Sequence, residues 1–235
     1  MDAEAGCGAA VEGLLEVEPG AASLGVFVAY STYAGPPVGA LDPRALDGLV
    51  EEALEEARRR YTLETLRGDP VARAYRSFYW RIGVDPTKTR PSGEALARRA
   101  LRGRFPRINP LVDAGNVASL LTLVPIGLYD LDRAAPPLRL TTTRGGEEFH
   151  PIGGRPERLR PGLPVLVDSR GLVMHLYPHR DSVHTSITGP TRAALAVAAG
   201  APGVPRGRLA EALRLFEEAL SRLGWGRCAP LVYAP

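Results

Sequence analysis

Four stretches with helical spacing stand in a row between residues 42 and 123, and strand-like patterning flanks them on both sides. That order constrains the fold more than any other feature. A doubly wound sheet needs strand and helix to alternate, whereas strands, then helices, then a run of strands point to an α+β fold with mixed or antiparallel sheets and packed helices. In residues 42–60, Asp42 is placed to cap a helix with Pro43 in its first turn. Leu46, Leu49, Val50, Ala53, Leu54 and Ala57 then recur on one face, and Arg58, Arg59 and Arg60 close the end where the helix dipole favours cations. Asp69 and Pro70 repeat the device for a helix running to about Ile82. A third helix is expected from Ser92 to about Arg102, stopping at Gly103, and a fourth from Leu111 to Leu123, ended by Pro125.

Residues 14–18 and 24–29 read as short strands, the second apolar on both faces, as in a strand covered on both sides. Further strands are expected at 126–131, 138–142, 165–168, 172–177 and 185–187, separated by proline- and glycine-rich turns. Residues 191–199 fit a strand or a helix equally well. Residues 206–223 form an amphipathic helix with Leu209, Leu213, Phe216 and Leu220 on one side. With no repeat and no long linker, the expectation is a single domain over residues 1–235. Strands within 1–40 and the helix at 206–223 would pack on a core from 70–200.

The hydrophobic share of 45% and charged share of 23% are those of an ordinary soluble protein. No apolar run reaches the roughly 18 residues of a membrane span. The first residues are acidic, unlike a secretory signal, so the expected location is cytoplasmic. Scarcity of Asn, Gln, Met and Cys is part of the pattern reported for hyperthermophile proteins. The two cysteines, Cys7 and Cys228, have no metal-binding spacing, and the sequence leaves open whether they pair.

A net charge of +3 does not by itself demand nucleic acid, but its distribution is uneven. From Arg73 to Arg107 the chain is densely basic, and only Asp85 and Glu94 oppose the cations. Arg76, Arg81, Lys88, Arg90, Arg98, Arg99 and Arg102 are the candidate RNA-contacting residues, able to neutralise phosphates. Aromatic residues are interleaved with them, as on a stacking surface. Tyr75, Phe78, Tyr79 and Ile82, however, follow the spacing of a buried helical stripe, so core is the favoured reading for those.

Three further clusters carry polar chemistry. The chain's one lysine, Lys88, and its only two asparagines, Asn109 and Asn116, fall within residues 85–116, and there is no glutamine. Asn109 also suits a turn or cap before Pro110. The loop from Tyr177 to Ser182 places His179, Arg180 and Asp181 together: a proton carrier, a cation and a carboxylate after an apolar strand. The segment 144–150 brings Glu147 and Glu148 behind two glycines, and a hairpin turn with solvated acids is its plainer reading. His175, His179 and His184 invite a metal reading. Pro178 argues against the helix that would align the first two, and no paired cysteine or carboxylate motif stands beside them, so no metal or cofactor is expected. No phosphate-binding loop, nucleophile elbow or dinucleotide fingerprint is present.

Several segments, taken in order, resemble a known family. They are residues 76–92 (RSFYWRIGVDPTKTRPS), 107–116 (RINPLVDAGN), 125–132 (PIGLYDLD), 146–149 (GEEF) and 152–153 (IG). The series resembles the tRNA-binding and editing domain of the phenylalanyl-tRNA synthetase beta subunit, its B-three/B-four module, in free-standing form. The resemblance implies an α+β fold that binds the acceptor end of tRNA. It also implies hydrolysis, in trans, of the ester of mischarged aminoacyl-tRNA, without any charging activity. It places a substrate-recognition glutamate at Glu147 or Glu148, and Asn109, Asp113 and Asn116 at a helix entrance bordering the pocket. His179 would handle protons, and Arg180 and Asp181 would hold substrate. The expectation is that the asparagines and one glutamate share a cavity with His179 or Arg180 at its rim. Two alternatives stand: a non-catalytic tRNA- or RNA-binding module, and a binding protein or hydrolase for a small amino-acid derivative.

Overall fold

The computed structural model describes residues 13–235. Cys7 and the acidic N-terminus lie outside them; Cys228 is not a free thiol. The helices are α1 (Pro19–Ala22), α2 (Asp47–Arg60), α3 (Pro70–Arg81), α4 (Ser92–Leu101), α5 (Pro110–Thr122) and α6 (Arg206–Ser221). The early strands are β1 (Leu15–Val17), β2 (Phe27–Ala34), β3 (Ile126–Asp130), β4 (Leu138–Thr142), β5 (Glu148–Phe149) and β6 (Glu157–Arg158). Then follow β7 (Pro164–Val167), β8 (Val173–Leu176), β9 (Arg180–Asp181), β10 (Ala193–Gly200), β11 (Gly226–Arg227) and β12 (Val232–Ala234).

The strands build two main sheets and a small β5–β6 ribbon. The first sheet runs β1-β4-β7-β8-β9, parallel only between β1 and β4. The second runs β11-β2-β10-β3 and is antiparallel throughout, with β12 on the same edge of β2 as β11. This is the expected α+β architecture of mixed and antiparallel sheets with packed helices.

Three layers result. The two sheets face each other, and Tyr129, His175 and Tyr177 help to fill the seam, leaving a void of only about 10 Å³. Helices α5 and α6 cover the opposite face of the second sheet, with α2 and α4 packed on α5. The second sheet is therefore covered on both faces. That accounts for the apolar character of β2 on both sides, and for the burial of every residue of β10 after Ala193.

Local chemistry sets most helix ends. Asp69 caps α3 by accepting from the backbone N–H of Val71 and Ala72, and Asn109 caps α5 by accepting from Val112 N–H at 3.0 Å. Gly103, at φ +69°, ends α4. The start of α4 lies hard against the end of α5, since a Cβ added at Gly93 would sit 2.3 Å from the Leu123 carbonyl oxygen. The next residue, Glu94, is thereby held in the interior.

Two sequence expectations are corrected. Helix α2 begins at Asp47, not behind Asp42, because the Asp42 carboxylate accepts from Arg44 N–H at 2.9 Å within a separate turn. Residues 185–187 are not a strand. Val183–Thr185 is a single 3₁₀ turn, seeded by Ser182, which accepts from His184 N–H.

Candidate nucleic-acid interface

Helix α4 and its C-terminal cap residue carry Ala95, Arg98, Arg99 and Arg102 at spacings of three, four and seven, which places them on one stripe. The stripe faces the loop after α3 and the turn between β8 and β9. Together they enclose a cleft of about 420 Å³ lined by Lys88, Thr89, Arg90, the α4 stripe, His179 and Arg180. Lys88, Arg90, Arg99 and Arg102 are exposed, and none makes an ion pair among the described residues. Their charge is available to a ligand.

The other two cations in the cleft are partly engaged. Arg98 donates to the Leu63 carbonyl at 3.1 Å and stands 3.8 Å from Glu94. Arg180 pairs with Glu157 and lies 5.9 Å from the Phe149 ring centre. His179 sits against Tyr79, with ring centres 6.3 Å apart. Burial pushes its imidazole down to about 4, and Arg180 and His175 push the same way. It is therefore neutral near pH 7. Arg98 Nε, His179 Nδ1 and Arg180 Nε are each buried without a hydrogen-bond partner. Most of the buried side-chain atoms lacking a partner among the described residues thus belong to residues that line this cleft.

The remaining expected site residues lie elsewhere. Arg76 spends its guanidinium on the buried Glu94 carboxylate, and Arg81 reaches back to the Leu24 carbonyl at 3.5 Å. Neither lines the cleft. The Asp181 carboxylate lies 2.8 Å from His175 Nδ1 and accepts from it when that nitrogen carries the proton. Asp113 holds Arg107 Nε at 2.8 Å and Ile108 N–H at 2.9 Å. Asn116 is half-buried on α5.

The expected shared cavity is not formed. Glu147 and Glu148 border a different hollow of about 470 Å³ with His150, Arg170 and His184. Glu147 closes its own turn by accepting from the backbone N–H of Arg144 and Gly145. Burial opposes its ionisation, but the N–H groups of Arg144, Glu147 and Gly145 prevail and hold the carboxyl below its ordinary range. Glu148 is exposed and pairs with His150 at 2.9 Å, a hydrogen bond that lowers its carboxyl as well. Glu147 is engaged where it stands because the two-glycine turn supplies backbone partners, and Glu148 because His150 lies two residues on.

Residues 74–226 match the family model described as the B3/4 domain. The chain belongs to the B3/4 domain family. Among solved structures, this B3/4 protein is similar to an N-terminal fragment of the phenylalanyl-tRNA synthetase beta-subunit from Pyrococcus horikoshii. The two share 19% identity with a TM-score of 0.43, over 53% of this chain and 42% of that one. The chain thus spans less than half of that fragment's length. No curated protein sequence matches it. No helix among the described residues is long and apolar enough to cross a membrane.

Two parts of this B3/4 domain's cleft escaped sequence reasoning. Thr89 and Ala95 have no charge to mark them, although Ala95 sits at the helical spacing of the arginine stripe. Glu94 looked like an opposing surface charge, yet it is only 2% exposed and anchors arginines from beneath. Its position between Gly93 and the apolar Leu96 and Ala97 was the available signal.

Proposed function

We propose that this B3/4 domain binds tRNA by laying phosphates along the α4 stripe. The observation that carries the reading is the gathering of Lys88, Arg90, Arg98, Arg99, Arg102 and Arg180 around one cleft. Concentrated positive potential of this kind attracts a phosphate backbone whatever its sequence. The order of motifs along the chain favours tRNA over other nucleic acids. Binding measured by fluorescence anisotropy should weaken steeply with salt. Affinity that ignores salt, or no binding at low salt, overturns the reading.

A second reading adds hydrolysis of the ester of mischarged aminoacyl-tRNA in trans. It is favoured by one observation: a neutral imidazole, that of His179, on the wall of the same cleft. An aminoacyl ester is already activated, so positioning a water beside its carbonyl suffices. A weakly basic imidazole can orient that water and take its proton as the tetrahedral centre forms. His179→Ala should then slow ester loss by roughly 10²–10⁴-fold. Incubation with a panel of correctly and incorrectly charged tRNAs tests this. Stable esters throughout the panel leave a binding module without catalysis.

A further inference from the structure

The cationic cleft has a side chamber. A cavity of about 140 Å³ adjoins it and shares Thr89, His179 and Arg180 with it. Its walls are ring and hydrocarbon surface from Tyr79, Ile82, Val84, Leu163, Leu176 and Tyr177. The charged groups are at the shared mouth and on Arg160, and the hydroxyls of Tyr79 and Tyr177 are spent on backbone carbonyls. Arg160 bends across Gly83 to donate to the Ile82 carbonyl. Gly83 adopts φ +69°, and a Cβ there would lie 3.1 Å from the Arg160 guanidinium.

Size and chemistry limit the occupant. An apolar cavity of about 150 Å³ holds one benzene-sized ring, whereas drug-sized ligands need roughly 300–1,000 Å³. The occupant is expected to connect to a polyanion, because the chamber shares three of its wall residues with the cationic cleft. It meets a polar mouth, formed by the side chains of Thr89, His179 and Arg180 that both hollows share. An unstacked base of a single strand meets all three demands: flat apolar faces, an edge of donors and acceptors, and a phosphate on each side.

We propose that this chamber takes one unstacked pyrimidine base of the RNA whose phosphates lie in the cleft, an inference that rests on the tRNA-binding reading above. A pyrimidine has one ring and fits the volume; a purine has two fused rings and exceeds it.

The test compares short oligouridylate, oligoadenylate and an abasic oligomer of equal length and charge, by fluorescence anisotropy at low salt. Oligouridylate should bind roughly ten- to a hundred-fold more tightly than the abasic oligomer, the usual scale for one stacked base, and oligoadenylate should fall well short of it. Val84→Phe or Leu176→Phe, each checked by thermal melting, should fill the chamber. Either should bring oligouridylate down to the abasic affinity while leaving the abasic affinity unchanged. Equal binding of oligouridylate and the abasic oligomer overturns the chamber and leaves the cationic cleft standing. Equal binding of the two homopolymers overturns the selection for a single ring. Filled variants that still prefer oligouridylate also overturn the proposal. If no oligomer binds, the chamber and the tRNA-binding reading fall together.

Discussion

Glu94 accepts two hydrogen bonds from Arg76 Nη1, at 3.0 and 3.2 Å, from a position almost wholly out of solvent. The pair ties α3 to α4 directly under the cationic cleft. One residue of the basic segment is thus spent on structure, and Arg98, 3.8 Å from the same carboxylate, is steadied by it. Removing a partner from such a pair leaves an uncompensated buried charge. Arg76→Ala should cost about 3 kcal/mol, the low end of the usual range because Arg98 remains nearby. Urea denaturation measures it, and a loss below about 1 kcal/mol would contradict the structural role given to the pair.

The four exposed cations should act additively on salt dependence. Each of Lys88→Ala, Arg90→Ala, Arg99→Ala and Arg102→Ala should reduce the slope of log affinity against log salt by roughly 0.7–0.9. Arg81→Ala, outside the cleft, should leave the slope alone. A salt titration of tRNA binding for each variant decides between the two groups. Equal effects from Arg81 and Arg99 would argue against a localised interface.

His179 gives a pH signature of known sign. Its folded-state value of about 4 lies below the ordinary 6.5, so between those limits the unfolded chain binds more protons. Stability therefore falls as pH drops from about 6.5 toward 4, by on the order of 3 kcal/mol in total. His179→Gln should flatten this part of the stability–pH curve. An unchanged curve in the variant would show that the imidazole is not held neutral by its surroundings.

Asn109 should behave as a cap. Asn109→Ala removes the acceptor for Val112 N–H and should cost about 1 kcal/mol of stability, while Asn109→Asp should retain most of it. tRNA affinity should be unaffected by either. A drop in affinity at constant stability would return Asn109 to the ligand-binding set.

Sequence by itself determined the elements whose signals are local. Asp69-Pro70, Asn109-Pro110 and Gly103 mark helix ends because their side-chain acceptors or backbone freedom act within a few residues. The stripe Tyr75, Phe78 and Tyr79 is buried, as its spacing requires. The basic character of residues 88–102 was equally plain.

Tertiary structure decided the rest. Residues 193–200 are alanine-rich and locally suited to a helix, but β2 and β3 pair with them on both sides and small side chains fit between the layers. Asp42 and Glu147 offered acceptors, and turns only a few residues long claimed them. Most of all, which charges face solvent depended on packing. Glu94 and Arg76 found one another across two helices, whereas Arg99 and Arg102 meet no acid among the described residues. His179 and Arg180 reached the α4 stripe only because the β8–β9 turn lies beside it. Contacts between residues some eighty positions apart depend on how whole layers dock, and the local pattern of a chain carries little of that information.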